Sequence, residues 1–211
     1  FFVLYANIDN FDATKYTLDY DKLAVMDKWI LSRLHSLIKT VDEGLMQYSI
    51  TDTARAIQSF TDELSNWYVR RSRERYWGGE MTQDKINAYM TLYTVLTETA
   101  KLCAPYVPYM AEAMYRNLVC ELDPSAPISV HLCDFPVSNP AMIDKELEAG
   151  MDFVLKAVVL GRAARSASGI KNRQPLSRLM VCTSSVYDES FLALIRDELN
   201  VKNVEYIEDA R

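Results

Sequence analysis

The sequence is sparing with the residues that usually announce chemistry. Only two histidines, His35 and His131, and six glycines occur among 211 residues. No glycine-rich phosphate loop, G-x-S-x-G or H-E-x-x-H string is present, so catalysis by this chain alone has no support. The acidic pairs Asp42-Glu43 and Asp62-Glu63 sit at adjacent helical positions, point to different faces and read as solvated surface. Cys103, Cys120, Cys133 and Cys182 form no C-x-x-C pair, and His131 with Cys133 are the only closely spaced soft ligands. Zinc needs about four converging ligands, so no metal site is expected, and the cysteines read as packed thiols in a reducing compartment. No stretch approaches the roughly 18 apolar residues of a membrane span. The opening Phe1-Phe2-Val3-Leu4-Tyr5 has neither a preceding basic region nor a small-residue cleavage site. With no initiator Met and a start inside an apolar run, the chain reads as a fragment of a longer protein.

Lys and Arg number 23 against 29 Asp and Glu, a net charge of −6. No global positive field exists to draw in a polyanion, which excludes a uniformly basic nucleic-acid binder but not a local basic patch.

Hydrophobic spacing gives the organisation. Residues 9–26 are acidic and turn-rich and read as a loop. A helix is expected from Asp27, whose carboxylate can cap the first turn, through Ile30, Leu34, Leu37, Ile38, Val41 and Leu45. A second, over 51–76, carries Ala54, Ile57, Phe60, Leu64, Trp67 and Tyr68 on one stripe and ends at Gly78-Gly79. A third spans 82–103, and a fourth, 108–122, follows the breaks at Pro105 and Pro108. Four amphipathic helices joined by short turns make an antiparallel bundle over 1–137 the economical solution. Four prolines in 123–141 mark a boundary. A helix over 143–165, a strand over 179–183, a helix over 188–199 and a strand over 203–207 then make 138–211 a small α+β subdomain. The fold class is mainly α.

Two basic stretches stand out. Arg70, Arg71, Arg73 and Arg75 lie within six residues at a helix end, interleaved with aromatics. They can complement the helix dipole and form internal ion pairs, or bind phosphate and contact a neighbouring domain. Trp67 and Tyr68 continue the buried stripe; Trp77 lies beyond it and is the aromatic expected to be exposed. The second stretch, 162–178, holds Arg162, Arg165, Lys171, Arg173 and Arg178 without one acid. It carries +5 against −11 for the remainder; such a run reads either as a solvated face or, against this acidic background, as the natural landing place for a polyanion.

The strings Met26-Asp27-Lys28-Trp29-Ile30-Leu31-Ser32-Arg33-Leu34 and Leu64-Ser65-Asn66-Trp67-Tyr68-Val69-Arg70-Arg71-Ser72-Arg73 resemble the helical anticodon-binding region of class I isoleucyl-tRNA synthetases. Ala104-Pro105-Tyr106-Val107-Pro108-Tyr109-Met110-Ala111-Glu112, Ser129-Val130-His131-Leu132 with Asp134-Phe135-Pro136, Leu160-Gly161-Arg162-Ala163-Ala164-Arg165 and Arg173-Gln174-Pro175-Leu176-Ser177 continue the resemblance in order. It implies a parent isoleucine–tRNA ligase that uses ATP and Mg in a catalytic domain absent here, with editing in an inserted domain. Neither the H-x-G-H-type nor the K-M-S-K-S-type signature of that catalytic domain occurs, and no cofactor is expected in this chain. The implied partners are isoleucine-specific tRNA, through its anticodon stem-loop, and the catalytic domain in cis. A cytoplasmic monomer without membrane association is implied as well. Candidate tRNA-binding residues are Arg70, Arg71, Arg73, Arg75, Trp77, Arg162, Arg165, Lys171, Arg173 and Arg178, the α-helical cluster also being placed to anchor the bundle on the catalytic domain. The matching domain of a valyl or leucyl enzyme, and a helical protein-interaction module without RNA, are the alternatives.

Overall fold

The computed structural model describes residues 1–183 and 185–207 and divides into two compact units, Phe1–Asp144 and a second from Lys145 onward. The first holds α1 (Phe2–Asp9), α2 (Val25–Met46), α3 (Ile50–Glu63), α4 (Arg70–Trp77), α5 (Gln83–Cys103) and α6 (Pro108–Tyr115). α2, α3 and α5 are its long walls, as the periodicity predicts. α1 occupies the apolar opening run, ahead of the loop expected over 9–26. It is only two turns long, too short to stand alone, and is held by Phe2 and Ala6, which are buried, and by Asp9, which bonds to α5.

α3 and α4 are read from sequence as one continuous helix, and the chain does run on between them, but through a π-helical segment, Leu64–Val69. The reason is rotational. At 100° per residue, Ser72 and Tyr76 would drift roughly 60–100° off the stripe set by Ile57, Phe60 and Leu64. One inserted residue's worth of wider turn returns both to the interior, where Ser72 is 2% and Tyr76 1% exposed. A second π-helical segment, Arg116–Cys120, extends α6 and buries Leu118 and Val119.

One expected core position moves. Ala54 is exposed, and its neighbour Thr53 is buried instead. Thr53 satisfies its hydroxyl locally, donating to the Ser49 carbonyl at 3.0 Å, and accepts a 2.6 Å hydrogen bond from Tyr106, which ties the start of α3 to the end of α5. Residues 138–144 stay bound to α2: Ser138 donates to the His35 carbonyl at 2.8 Å, and the Asp144 amide donates to Ser32 Oγ at 2.9 Å. The boundary expected at 137 lies at the start of this tethered stretch, and the compact units meet at its end.

The second unit contains α7 (Lys145–Ala167), β1 (Leu176–Cys182), α8 (Glu189–Leu199) and β2 (Val201–Ile207). The strands pair in parallel, Leu176 opposite Val201 and Cys182 opposite Ile207, a pairing that requires the α8 crossover. Its core is Met151, Val154, Ala157 and Val158 of α7 with Leu192, Ile195 and Leu199 of α8. Gly161 lets α8 end against α7: a Cβ there would stand 2.4 Å from a methyl of the buried Leu199, which would have to shift.

Gly161→Ala is therefore expected to destabilise the second unit by about 1–3 kcal/mol through overpacking. Urea unfolding combined with amide exchange checks this, exchange accelerating in α8 and leaving α2 and α5 unchanged.

Candidate nucleic-acid interface

The arginine cluster on α4 separates into two kinds of side chain. Arg75 turns inward. Its Nη1 and Nη2 donate to the two Asp27 carboxylate oxygens at 2.7 and 2.8 Å, and its Nε donates to Asp84 Oδ2 at 2.9 Å. Asp27 has no solvent exposure; it also accepts from the Tyr68 hydroxyl at 2.7 Å and from the Ala24 amide at 3.3 Å. The expected helix-capping role is thus performed from the third position of α2, which begins at Val25. Burial alone disfavours the Arg75 charge, but its hydrogen bonds to Asp27 and Asp84 outweigh this and hold its pKa above the ordinary arginine value. The expectation that Arg75 binds RNA phosphate is corrected accordingly: all three of its nitrogens serve the fold.

Arg70, Arg73 and Trp77 fall on one face of α4, at i, i+3 and i+7. Arg70 is half-buried, lies over the Trp67 ring at 5.6 Å and donates from Nε to the Asn66 carbonyl at 2.7 Å. Arg71 is half-buried. Arg73 is exposed and has no ion-pair or hydrogen-bond partner among the described residues. Trp77 is 59% exposed, and its indole N–H donates to the Tyr5 hydroxyl at 3.0 Å, so the ring is held while one face stays open. Trp67 and Tyr68 are buried, as their place on the stripe predicts.

The second unit's basic stretch also divides. Arg162 is exposed but pairs at 2.6 Å with Glu198, whose carboxylate is 3% exposed and would be left buried without that partner; Arg178 pairs with Glu205 at 3.5 Å, both exposed, and can exchange this partner for a phosphate. Lys171 and Arg173 are exposed, and neither side chain has a partner among the described residues. Arg165 is 4% exposed and spends its terminal nitrogens on four backbone carbonyls, those of Lys171, Gln174, Leu199 and Asn200. With its terminal nitrogens committed to backbone and its side chain buried, Arg165 serves the fold, and its expected role as an RNA ligand is corrected to that extent.

Sequence reasoning missed a second buried ion pair. Lys85 is 2% exposed; its Nζ lies 2.6 Å from Asp9 and donates to the Gly78 carbonyl at 2.6 Å. Asp9 also accepts from Tyr89, which stacks on Phe11 and meets Tyr76 edge-on at 4.8 Å. This network fastens the turn that follows Trp77. The one available signal was Lys85 preceding the apolar positions of α5 by a single residue. Among the described residues no group of three or more His, Cys, Asp or Glu could hold a metal ion, and no helix is long and apolar enough to cross a membrane.

These features, a helical bundle with an exposed arginine and tryptophan on one helix and an acid-free basic stretch beyond it, fit a family whose model matches residues 27–180, described as the anticodon-binding domain of tRNA ligase. The chain belongs to this family. Three similar proteins carry one name. It is 53% identical over 98% of its length to the isoleucine–tRNA ligase of Clostridium novyi (strain NT), and 50% identical over 97% to that of Clostridium tetani. It is 42% identical over 100% to that of Bacteroides fragilis. The chain spans about a fifth of the length of these curated relatives, 20%, 20% and 19% respectively.

Burial raises the hydroxyl pKa of Tyr68, Tyr76 and Tyr89, and the acids Asp27 and Asp9 raise it further. The unfolded chain releases these protons near pH 10 while the native bundle retains them. The contribution of these three hydroxyls to stability is therefore level below about pH 10 and falls as pH rises beyond it. Tyr68→Phe should lower stability at neutral pH and make the alkaline fall shallower, as read from urea midpoints at pH 8–11.

Proposed function

We propose that the chain is the anticodon stem-loop-binding part of an isoleucine–tRNA ligase, a cytoplasmic monomer in which ATP-dependent aminoacylation belongs to other parts of the protein. The family match over residues 27–180 carries this reading. The relatives, all joining isoleucine to its tRNA by name, favour isoleucine tRNA over valine or leucine tRNA.

The chemistry supports it. An anticodon loop presents unstacked bases and a dense line of phosphates. Trp77, fixed by Tyr5 and open on one face, offers a stacking surface; Arg73, one turn away on the same helix face, offers a cation that no internal acid occupies. Lys171 and Arg173 offer two more, with Arg178 available by exchange from an exposed pair that is worth little; Arg162 stays paired with the buried Glu198 carboxylate and adds its charge to the local potential. The net charge of −6 keeps non-specific adhesion to nucleic acid low, so attraction stays confined to these positions.

Titration with isoleucine tRNA and with a tRNA of another anticodon, at a series of salt concentrations, tests the reading. The isoleucine tRNA should bind more tightly at every salt. Arg73→Ala should reduce the slope of log affinity against log salt by about 0.7–0.9. Trp77→Ala should leave the slope alone and cost about 1–3 kcal/mol of binding. Absence of binding at low salt, or equal binding of both tRNAs, contradicts the proposal.

A further inference from the structure

Arg165 is an unusual place to find a positive charge. It is nearly fully buried, yet its partners are four carbonyls and, among the described residues, no carboxylate. Enclosing an ion costs free energy that a neutral side chain would avoid, so the arrangement calls for a role that packing alone does not supply.

That role emerges from what the four carbonyls belong to. α7 ends in a left-handed glycine, Gly169 with φ +68, and the two hydrogen bonds that accompany such an ending are present: the Ile170 amide to the Arg165 carbonyl at 2.9 Å and the Gly169 amide to the Ser166 carbonyl at 3.1 Å. The chain is thereby turned back along the last turns of α7. Arg165 Nη1 then takes the carbonyls of Lys171 at 3.1 Å and Gln174 at 3.0 Å, and Nη2 takes those of Leu199 and Asn200 at the C-terminal end of α8. Asn200, itself left-handed, completes the clamp, its Nδ2 reaching the carbonyls of Asn172 at 3.4 Å and Arg173 at 3.0 Å. Every carbonyl from residue 171 to residue 174 is thus bound from the inside. With its backbone fixed, the loop turns Lys171 and Arg173 outward, the two basic side chains of the 162–178 stretch that are exposed and without a partner among the described residues.

We infer that Arg165, with Asn200, is a positioning residue that pre-organises the 171–174 loop so that Lys171 and Arg173 meet adjacent backbone phosphates of the bound RNA. The inference rests on the reading of the chain as an anticodon stem-loop binder. Its physical content is that the loop's ordering entropy is met on folding rather than on binding. The Arg165 charge adds to the local positive potential without touching the ligand, held meanwhile by the negative end of the α8 dipole.

Salt titration of tRNA binding by variants of the chain, with amide exchange over residues 170–176, separates positioning from contact. Lys171→Ala/Arg173→Ala should lower the salt slope by about 1.4–1.8, the loss of two phosphate contacts. Arg165→Lys keeps the charge but cannot span four carbonyls. Asn200→Gly keeps the left-handed backbone and removes only the second clamp. Both should speed exchange in the loop and weaken binding about three- to tenfold at every salt, with the slope unchanged. If Arg165→Lys unfolds the second unit, Asn200→Gly decides. Faster loop exchange with unaltered affinity would overturn the inference, as would a slope that falls in Asn200→Gly as it does in the double variant. An unchanged slope in Lys171→Ala/Arg173→Ala, with binding intact, would overturn it by removing the loop from the interface while leaving the wider functional reading standing. Failure of the unsubstituted chain to bind tRNA would overturn that reading and this inference together.

Discussion

One carboxylate with no solvent exposure organises the bundle. Asp27 receives a bidentate guanidinium from Arg75 on α4, a hydroxyl from Tyr68 in the π-helical segment and an amide from the start of its own helix, while Arg75 reaches on to Asp84 in the first turn of α5. Three long elements are thereby registered at one point. Such a pair gains little over an apolar replacement of the same shape, but losing Arg75 leaves the buried Asp27 charge uncompensated. Its value is in specifying arrangement. The π-helical turn of Leu64–Val69, which rotates α4, brings both Tyr68 and Arg75 to Asp27, so the helix defect and the ion pair are two sides of one constraint.

The same constraint sorts the arginines. With Arg75 directed into the bundle, Arg70, Arg73 and Trp77 come to lie on the opposite side of α4, and Lys85 holds the turn beyond Trp77 through the Gly78 carbonyl. The second unit repeats the logic with different parts: Arg165 is consumed by backbone carbonyls, and Lys171 and Arg173 are left outside. In each unit one buried cation fixes the geometry by which its sequence neighbours face solvent.

How much of this was legible in the sequence follows from the reach of local patterns. Apolar residues at steps of three and four set out α2, α3, α5, α7 and α8 because that spacing needs no partner to be read. Gly78-Gly79 and Pro108 punctuated them for the same reason. α1 was not legible, since its two turns depend on contacts with α5. The π-helical segments were invisible because the stripe closes only when tertiary packing absorbs an extra residue. Arg73 and Arg75 are indistinguishable by type and spacing alone, and only the partners, Asp27 and Asp84, separate a structural cation from an available one. Family strings located the domain; they did not assign its side chains.

The direct test of this account is a double-mutant cycle on Asp27→Asn and Arg75→Met, read by urea unfolding. If the pair is the joint on which the bundle depends, Arg75→Met, which strands the buried Asp27 charge, costs about 3–5 kcal/mol, and the double change costs well under the sum of the two single changes. Losses that add to within about 0.5 kcal/mol would mean that the two residues act independently, and the account built on them would be wrong.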